Sequence, residues 1–162
     1  RMATVYGYSP RMRFDLVVNI LTAKARAEET IPIFGGDQYR PNVHVADAAQ
    51  AFIDTIEAPI DDVRGEVFNV GSNEQNYQIR EIGEIIGRVF PEADVDVQPE
   101  KEDERSYQVD FSKIGRVLDY EVERTIADAS EEIRDALEAG EFPDWQADKY
   151  SNFRTLEDVM PV

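Results

Sequence analysis

The sequence predicts an α/β fold. Short apolar stretches of strand length alternate with longer stretches of helical period. Strand patterns fall at residues 2–6 (MATVY), 31–34 (IPIF), 42–45 (NVHV), 66–70 (EVFNV) and 94–98 (DVDVQ). Helical spacing fills the intervals between them, and alternation of the two periods is the mark of α/β chains. The third observation is punctuation: Gly7, Gly35-Gly36, Gly71 and Gly140 each close a patterned stretch.

In chain order, 2–6 reads as a buried strand ending at Gly7. Residues 8–13 form a loop with Ser9-Pro10 and two arginines, Arg11 and Arg13. Residues 14–27 predict a helix that is apolar over much of its surface (Phe14, Val17, Val18, Ile20, Leu21), so it packs on more than one side. The stretch 31–52, IPIFGGDQYRPNVHVADAAQAF, is the organising one. An apolar strand enters two glycines, Arg40 follows between Tyr39 and Pro41, and a second strand carries Val43 and Val45 on one face. His44, between those valines, reads as structural. Asp47 with Gln50 three residues on predicts a capping box. The helix it starts carries Ala49, Phe52, Ile53 and Ile56 on one stripe and ends before Pro59.

The strand at 66–70 closes at Gly71. Residues 77–90 predict an amphipathic helix with Ile79, Ile82, Ile86 and Val89 at helical spacing, and 94–98 predicts an edge strand. An acidic segment, 99–104, leads to Arg105-Ser106-Tyr107. Ser112 caps a short helix to Leu118. Thr125 and Asp128 form a capping pair for a helix that buries Ile126, Ala129, Ile133 and Leu137 and stops at Gly140. The tail from Glu141 lacks periodicity. It carries Phe142, Trp145, Tyr150 and Phe153, so it is expected to lie across a surface.

Composition narrows the function classes. The chain has 162 residues, 42% of them hydrophobic, which suffices for one real core and excludes disorder. The formal net charge is −17, from 34 acidic and 17 basic residues, which argues against a nucleic-acid partner. The carboxylates are dispersed and Lys occurs only at 24, 101, 113 and 149, the pattern expected of a protein that stays soluble in high salt, so a halophilic source is expected. With no cysteine and one histidine, neither a disulfide framework nor a zinc site is expected. No apolar run is long enough to cross a bilayer. A cytoplasmic protein is the expectation, and a start at Arg1 inside a strand suggests part of a longer one. No strand is followed by the G-x-G-x-x-G turn that holds a dinucleotide.

Four strings carry a family resemblance: RMATVYGYSP, IFGGDQYRPNVHVADAAQA, VFNVGSNE and DERSYQVDFSKIGRVLDY. In this order they resemble the C-terminal half of nucleotide-sugar epimerases and dehydratases, the extended short-chain dehydrogenase/reductases (extended SDR). The resemblance implies a Rossmann-type fold in which residues 1–140 are the substrate-binding part and 141–162 a tail packed on the surface. By the same resemblance, the N-terminal dinucleotide-binding part is expected to lie outside these residues. It would carry the Tyr-x-x-x-Lys pair and hold NAD or NADP, so no catalytic, cofactor-binding or metal residue is expected here and the fragment alone is expected to be inactive. The implied partner is a nucleotide-diphosphate sugar, bound by a homodimer when full length. The implied activity is that of a UDP-glucose 4-epimerase-like enzyme in glycan biosynthesis. A 4,6-dehydratase of the same family and a non-catalytic nucleotide-binding relative are the alternatives.

By the same resemblance, Arg40 matches the arginine that contacts the diphosphate, where a guanidinium grips two phosphate oxygens in a fork. Arg105 matches a second phosphate or ribose contact, although it is equally a partner for Glu102 or Glu104. Ile33 and Phe34 lie on the strand that lines the base, with core packing the plainer reading of Ile33. Asn69 matches an asparagine that reaches the nucleotide, and an asparagine inside a strand needs a hydrogen-bond reason. Thr4 stands where many members have Asn, and Asp15 and Leu16 open the helix whose start sits by the phosphates.

Overall fold

The computed structural model describes residues 1–98 and 105–159. Its elements are β1 (Thr4–Tyr6), α1 (Val17–Glu28), β2 (Thr30–Phe34), β3 (Tyr39–His44), α2 (Val45–Glu57), α3 (Ile60–Val63), β4 (Asn76–Gln78), α4 (Ile79–Val89), β5 (Asp94–Gln98), α5 (Ser112–Leu118), α6 (Ile126–Glu138) and α7 (Asn152–Val159). β1 and β3 pair in parallel, with Thr4 opposite Asn42, and β4 joins the other edge of β3 antiparallel. β2 and β5 form a separate parallel pair, with Ile31 opposite Val95 and Ile33 opposite Val97. The chain is therefore mixed α/β, with parallel pairs joined by helical crossovers as such pairs require.

Three apolar clusters hold these layers. The largest sets Ile31 and Ile33 of β2 against Val18 and Leu21 of α1, Ile82 and Ile86 of α4 and Ile126 of α6. α4 approaches β2 closely at Gly83, where an added Cβ would stand 2.5 Å from Ile33 Cδ1. A second cluster joins Val43, Ala48 and Ala51 to Phe68, Phe111 and Ile114. The third packs Met12 and Phe14 on Ile133, Ala136 and Phe142, with Trp145 and Tyr150 alongside. Phe14 meets Phe142, Trp145 and Tyr150 edge-on at centroid distances of 5.5, 5.8 and 5.6 Å.

Several expected elements come out differently. Residues 66–70 form no strand; Val70 makes only a single bridge to Met2, with Val70 N donating to the Arg1 carbonyl at 2.8 Å. β3 begins at Tyr39 and ends at His44, so Val45 is the first residue of α2 and shares no strand face with Val43. The cap of α2 is His44, whose Nδ1 accepts from Ala46 N at 3.2 Å. Asp47 sits buried in the first turn, and its carboxylate instead accepts from the backbone N–H groups of Glu123 and Arg124, both at 3.1 Å. The α2 stripe is also reversed: Ala48 and Ala51 are buried, while Phe52, Ile53 and Ile56 are exposed, Ile56 at 81%.

Ser112 is the first residue of α5 and not its cap; Asp110 Oδ1 accepts from its N–H and its hydroxyl. α1 and α4 begin three and two residues later than the periodicity suggests, because residues 14–16 form a turn and 76–78 pair with β3. The tail contains a helix, α7, and leaves Phe153 exposed while Phe142 is buried. The acidic segment 99–104 lies outside the described residues. The capping box at Thr125 and Asp128 is present as drawn from the sequence, and Gly140 takes φ +75° just past α6.

Candidate functional site

The stretch between β2 and β3 is a stapled turn. Gly35 and Gly36 take φ of 72° and 118°, which favours glycine at both. Gln38, 4% exposed, closes the turn with one amide: its Oε1 accepts from Gly36 N at 2.7 Å, and its Nε2 donates to the Phe34 carbonyl at 2.6 Å. The Gly36 and Gln38 carbonyls then accept from Arg80 N and Ile79 N, so the turn seats on the start of α4.

Arg40 is held at the base of this turn. Asn42, fully buried, donates its Nδ2 to the Arg40 carbonyl at 2.7 Å. The Arg40 guanidinium donates to the carbonyls of Tyr39 and Arg105 and lies 5.5 Å from the centre of the Tyr107 ring. Residues 105–107 are themselves drawn onto β3: Tyr39 N donates to Ser106 Oγ and Tyr107 N to the Tyr39 carbonyl. Main-chain contacts thus bring the two distant arginines to one place.

That place lies in the wall of a cavity of about 520 Å³, within the usual size range for a small-molecule site. Thr4, Asp15, Leu16, Phe34, Arg40 and Arg105 all line it. Phe34, at the end of β2, is 43% exposed. The remaining wall includes Ile20 and Lys24 of α1, Pro32, Gln38, Ile79 and Tyr107. Three cations, Lys24, Arg40 and Arg105, share one concave surface in a chain of net charge −17. Lys24 is paired there with Glu28 at 2.9 Å, and both arginines have partners of their own.

The carboxylate in the wall is already neutralised. Arg13 grips Asp15 with two bonds, at 3.0 and 2.9 Å, and Asn152 N adds a third at 3.0 Å. Burial alone would raise the Asp15 pKa, but these bonds and the Arg13 charge outweigh it and hold the carboxyl below its ordinary value. Asp15 is therefore a clamp between the loop before α1 and the start of α7, and its side chain has little left to offer a ligand. Leu16, the residue before α1, lines the cavity beside it.

Two residues expected at the site stand elsewhere. Ile33 is fully buried in the core beneath Gly83, because alternation along β2 turns it away from Phe34. Asn69 lines a different cavity, and its Nδ2 donates to the Asp110 carbonyl at 3.0 Å. That bond supplies the reason for an asparagine there. Gln38, Lys24 and Tyr107 were not singled out in the sequence. Gln38 sits three residues after Gly35, a spacing that invites a side-chain staple; Lys24 and Tyr107 gave no local signal.

Residues 1–71 match the family model described as the NAD dependent epimerase/dehydratase family. Among solved structures, the chain resembles UDP-glucuronic acid 4-epimerase from Bacillus cereus in complex with UDP-glucuronic acid and NAD. There the identity is 26% over 86% of this chain and 44% of that one, with a TM-score of 0.66. It resembles an epimerase from the methanogen Methanothermobacter thermautotrophicus at 22% identity, 88% and 43% coverage and a TM-score of 0.71. It also resembles an NAD-dependent NDP-hexosamine 5,6-dehydratase involved in tunicamycin biosynthesis, at 20% identity, 86% and 45% coverage and a TM-score of 0.69. The mixed α/β fold thus matches part of the Rossmann-type epimerase and dehydratase structures, and the chain spans less than half their length.

Proposed function

We propose that the chain binds a nucleotide-diphosphate sugar as the substrate-binding half of an NAD(P)-dependent nucleotide-sugar epimerase resembling UDP-glucose 4-epimerase. The observation that carries this reading is the convergence of Arg40 and Arg105, through main-chain contacts, on a cavity that also holds the exposed Phe34 ring. Two guanidinium groups suit a diphosphate, each with a fork of donors. An aromatic face beside them suits a base or ribose. Thr4 and Leu16 complete the wall, with Asp15 as the clamp that positions it.

We expect this chain to leave the dinucleotide mainly to other residues. Gly35-Gly36 joins two strands and is filled by the Gln38 amide, whereas a pyrophosphate cradle needs a glycine turn leading into a helix. NAD or NADP, the hydride acceptor, would be held mainly by a preceding half, together with the catalytic base. The role of this chain is then to bind and orient the sugar nucleotide. The reading places the work in the cytoplasm, in glycan precursor synthesis, by a homodimer of the full-length protein. An epimerase and a 4,6-dehydratase would share this site and differ in an Asp-Glu pair beside the catalytic tyrosine.

The test is calorimetry with UDP-, GDP- and dTDP-sugars. At least one binds, and Arg40→Ala weakens it by about 1.5–3 kcal/mol, the worth of a charged hydrogen-bond pair. If no sugar nucleotide binds, or if Arg40→Ala leaves binding unchanged, the proposal fails.

A further inference from the structure

Lys24 belongs to the cavity but has no place in the diphosphate reading. Leu16 and Lys24 both line it. They are eight residues apart, so it extends about 12 Å along α1 at the helical rise per residue. β2 doubles back from the C-terminal end of α1 after Glu29, which takes φ +50°. Pro32 and Phe34, on the same face of that returning strand, both line the cavity. The cavity thus carries two guanidinium residues and one ammonium, with Phe34, Ile20 and Pro32 also in its wall.

The ammonium is positioned. Lys24 Nζ donates to Glu28 Oε2 at 2.9 Å, one helical turn on. Glu28 Oε1 in turn accepts from Gln146 Nε2 at 3.2 Å, which ties the pair to the C-terminal segment. The Lys24 side chain is 27% exposed. It also lines a second cavity of about 450 Å³, shared with Trp145 and Tyr150. An ammonium has three donors and no acceptor. Glu28 takes one, which leaves donors for a ligand.

Resting on the proposed nucleotide reading, we infer that Lys24 selects the nucleobase, favouring bases with a carbonyl oxygen at the edge remote from the ribose. With the diphosphate at the arginines and the base beside Phe34, that edge faces Lys24. Uracil and thymine present O4 there and guanine presents O6, all acceptors. Cytosine and adenine present amino groups, which are donors. Two donors face to face leave both unpaired in a partly buried site, which rejects the amino bases more strongly than it rewards the keto ones.

The test is calorimetry of UDP, dTDP, GDP, CDP and ADP on the whole chain and on three variants: Lys24→Met, Lys24→Arg and Arg40→Ala. The wild-type chain binds UDP, dTDP and GDP about tenfold or more tighter than CDP and ADP. Lys24→Met, close in length and uncharged, loses most of that ratio by weakening the keto-base nucleotides while CDP and ADP change little. Lys24→Arg keeps the ratio. Arg40→Ala weakens all five alike. A ratio near one in the wild type, or one that survives Lys24→Met, overturns the base-selecting role. If Arg40→Ala still weakens binding in that case, the diphosphate reading stands by itself. Failure of all five to bind wild-type chain overturns both.

Discussion

Gly7 shows how much one residue carries here. It follows β1 with φ +104°, and an added Cβ would stand 2.2 Å from His44 Nε2. His44 cannot give way. Its Nδ1 accepts from Ala46 N, so the proton is on Nε2, which donates to Glu132 at 3.1 Å; the ring also meets Tyr6 edge-on at 5.4 Å. Gly7→Ala therefore combines positive-φ strain with overpacking against a fixed ring. It is expected to cost about 3 kcal/mol in urea unfolding; a loss below about 0.5 kcal/mol would mean the ring moves freely. Tyr6, on the same contact, is buried and donates to Gln75 Oε1 at 2.9 Å. Burial first, then the nearby Asp47 charge, push its pKa above the ordinary range, so the phenol stays a donor.

At the scale of one element, α6 is the part most plainly written in the chain. Thr125 Oγ1 accepts from Asp128 N at 3.2 Å, and Asp128 Oδ2 accepts from Thr125 N at 2.8 Å and from its hydroxyl at 2.7 Å. Thr125→Ala should cost about 1 kcal/mol at neutral pH. The effect also depends on pH. The Thr125 hydroxyl first, and its N–H next, hold the Asp128 carboxyl below its ordinary value of 3.8. A pKa depressed by folding stabilises above the unfolded value and loses that contribution as pH falls through the folded one. The stability gap between wild type and Thr125→Ala is thus expected at pH 7 and should narrow below about pH 3.8; a gap that is the same at pH 7 and pH 2.5 would rule out this coupling. α2 behaves oppositely. Its apolar residues recur at helical spacing, yet Phe52, Ile53 and Ile56 face outward, because the first-turn Asp47 is drawn inward by Glu123 and Arg124.

For the molecule as a whole, charge and packing act against each other. A net charge of −17 on 162 residues repels itself, while among the described residues several ion pairs are exposed, such as Arg26–Glu138 and Lys113–Glu66, and such pairs contribute little. We propose salt adaptation as the reason for the charge. Salt at molar concentration shortens the screening length to about 3 Å, so the unfolding temperature should rise steeply between 0.1 and 2 M KCl. A flat or falling dependence would count against that origin. Among the described residues no helix is long and apolar enough to cross a membrane.

The sequence by itself determined the α/β class, most of the helices and the stretch around Arg40. These depend on local periodicity, glycine punctuation and caps, all of which act over a few neighbouring residues. It determined the capping of α6 for the same reason. Only the tertiary structure decided which of the named residues meet. Arg105 reaches Arg40 because residues 105–107 lie along β3. Ile33 and Phe34 part company because a strand turns successive side chains to opposite faces. Asn69 answers to Asp110, and Asp15 to Arg13 and Asn152. Lys24 could not be placed from its neighbours, because it shares a cavity with Pro32 and Phe34 only once the chain is folded. Partners distant in sequence leave no mark in local composition, and it is those partners that make a cavity out of six separate segments.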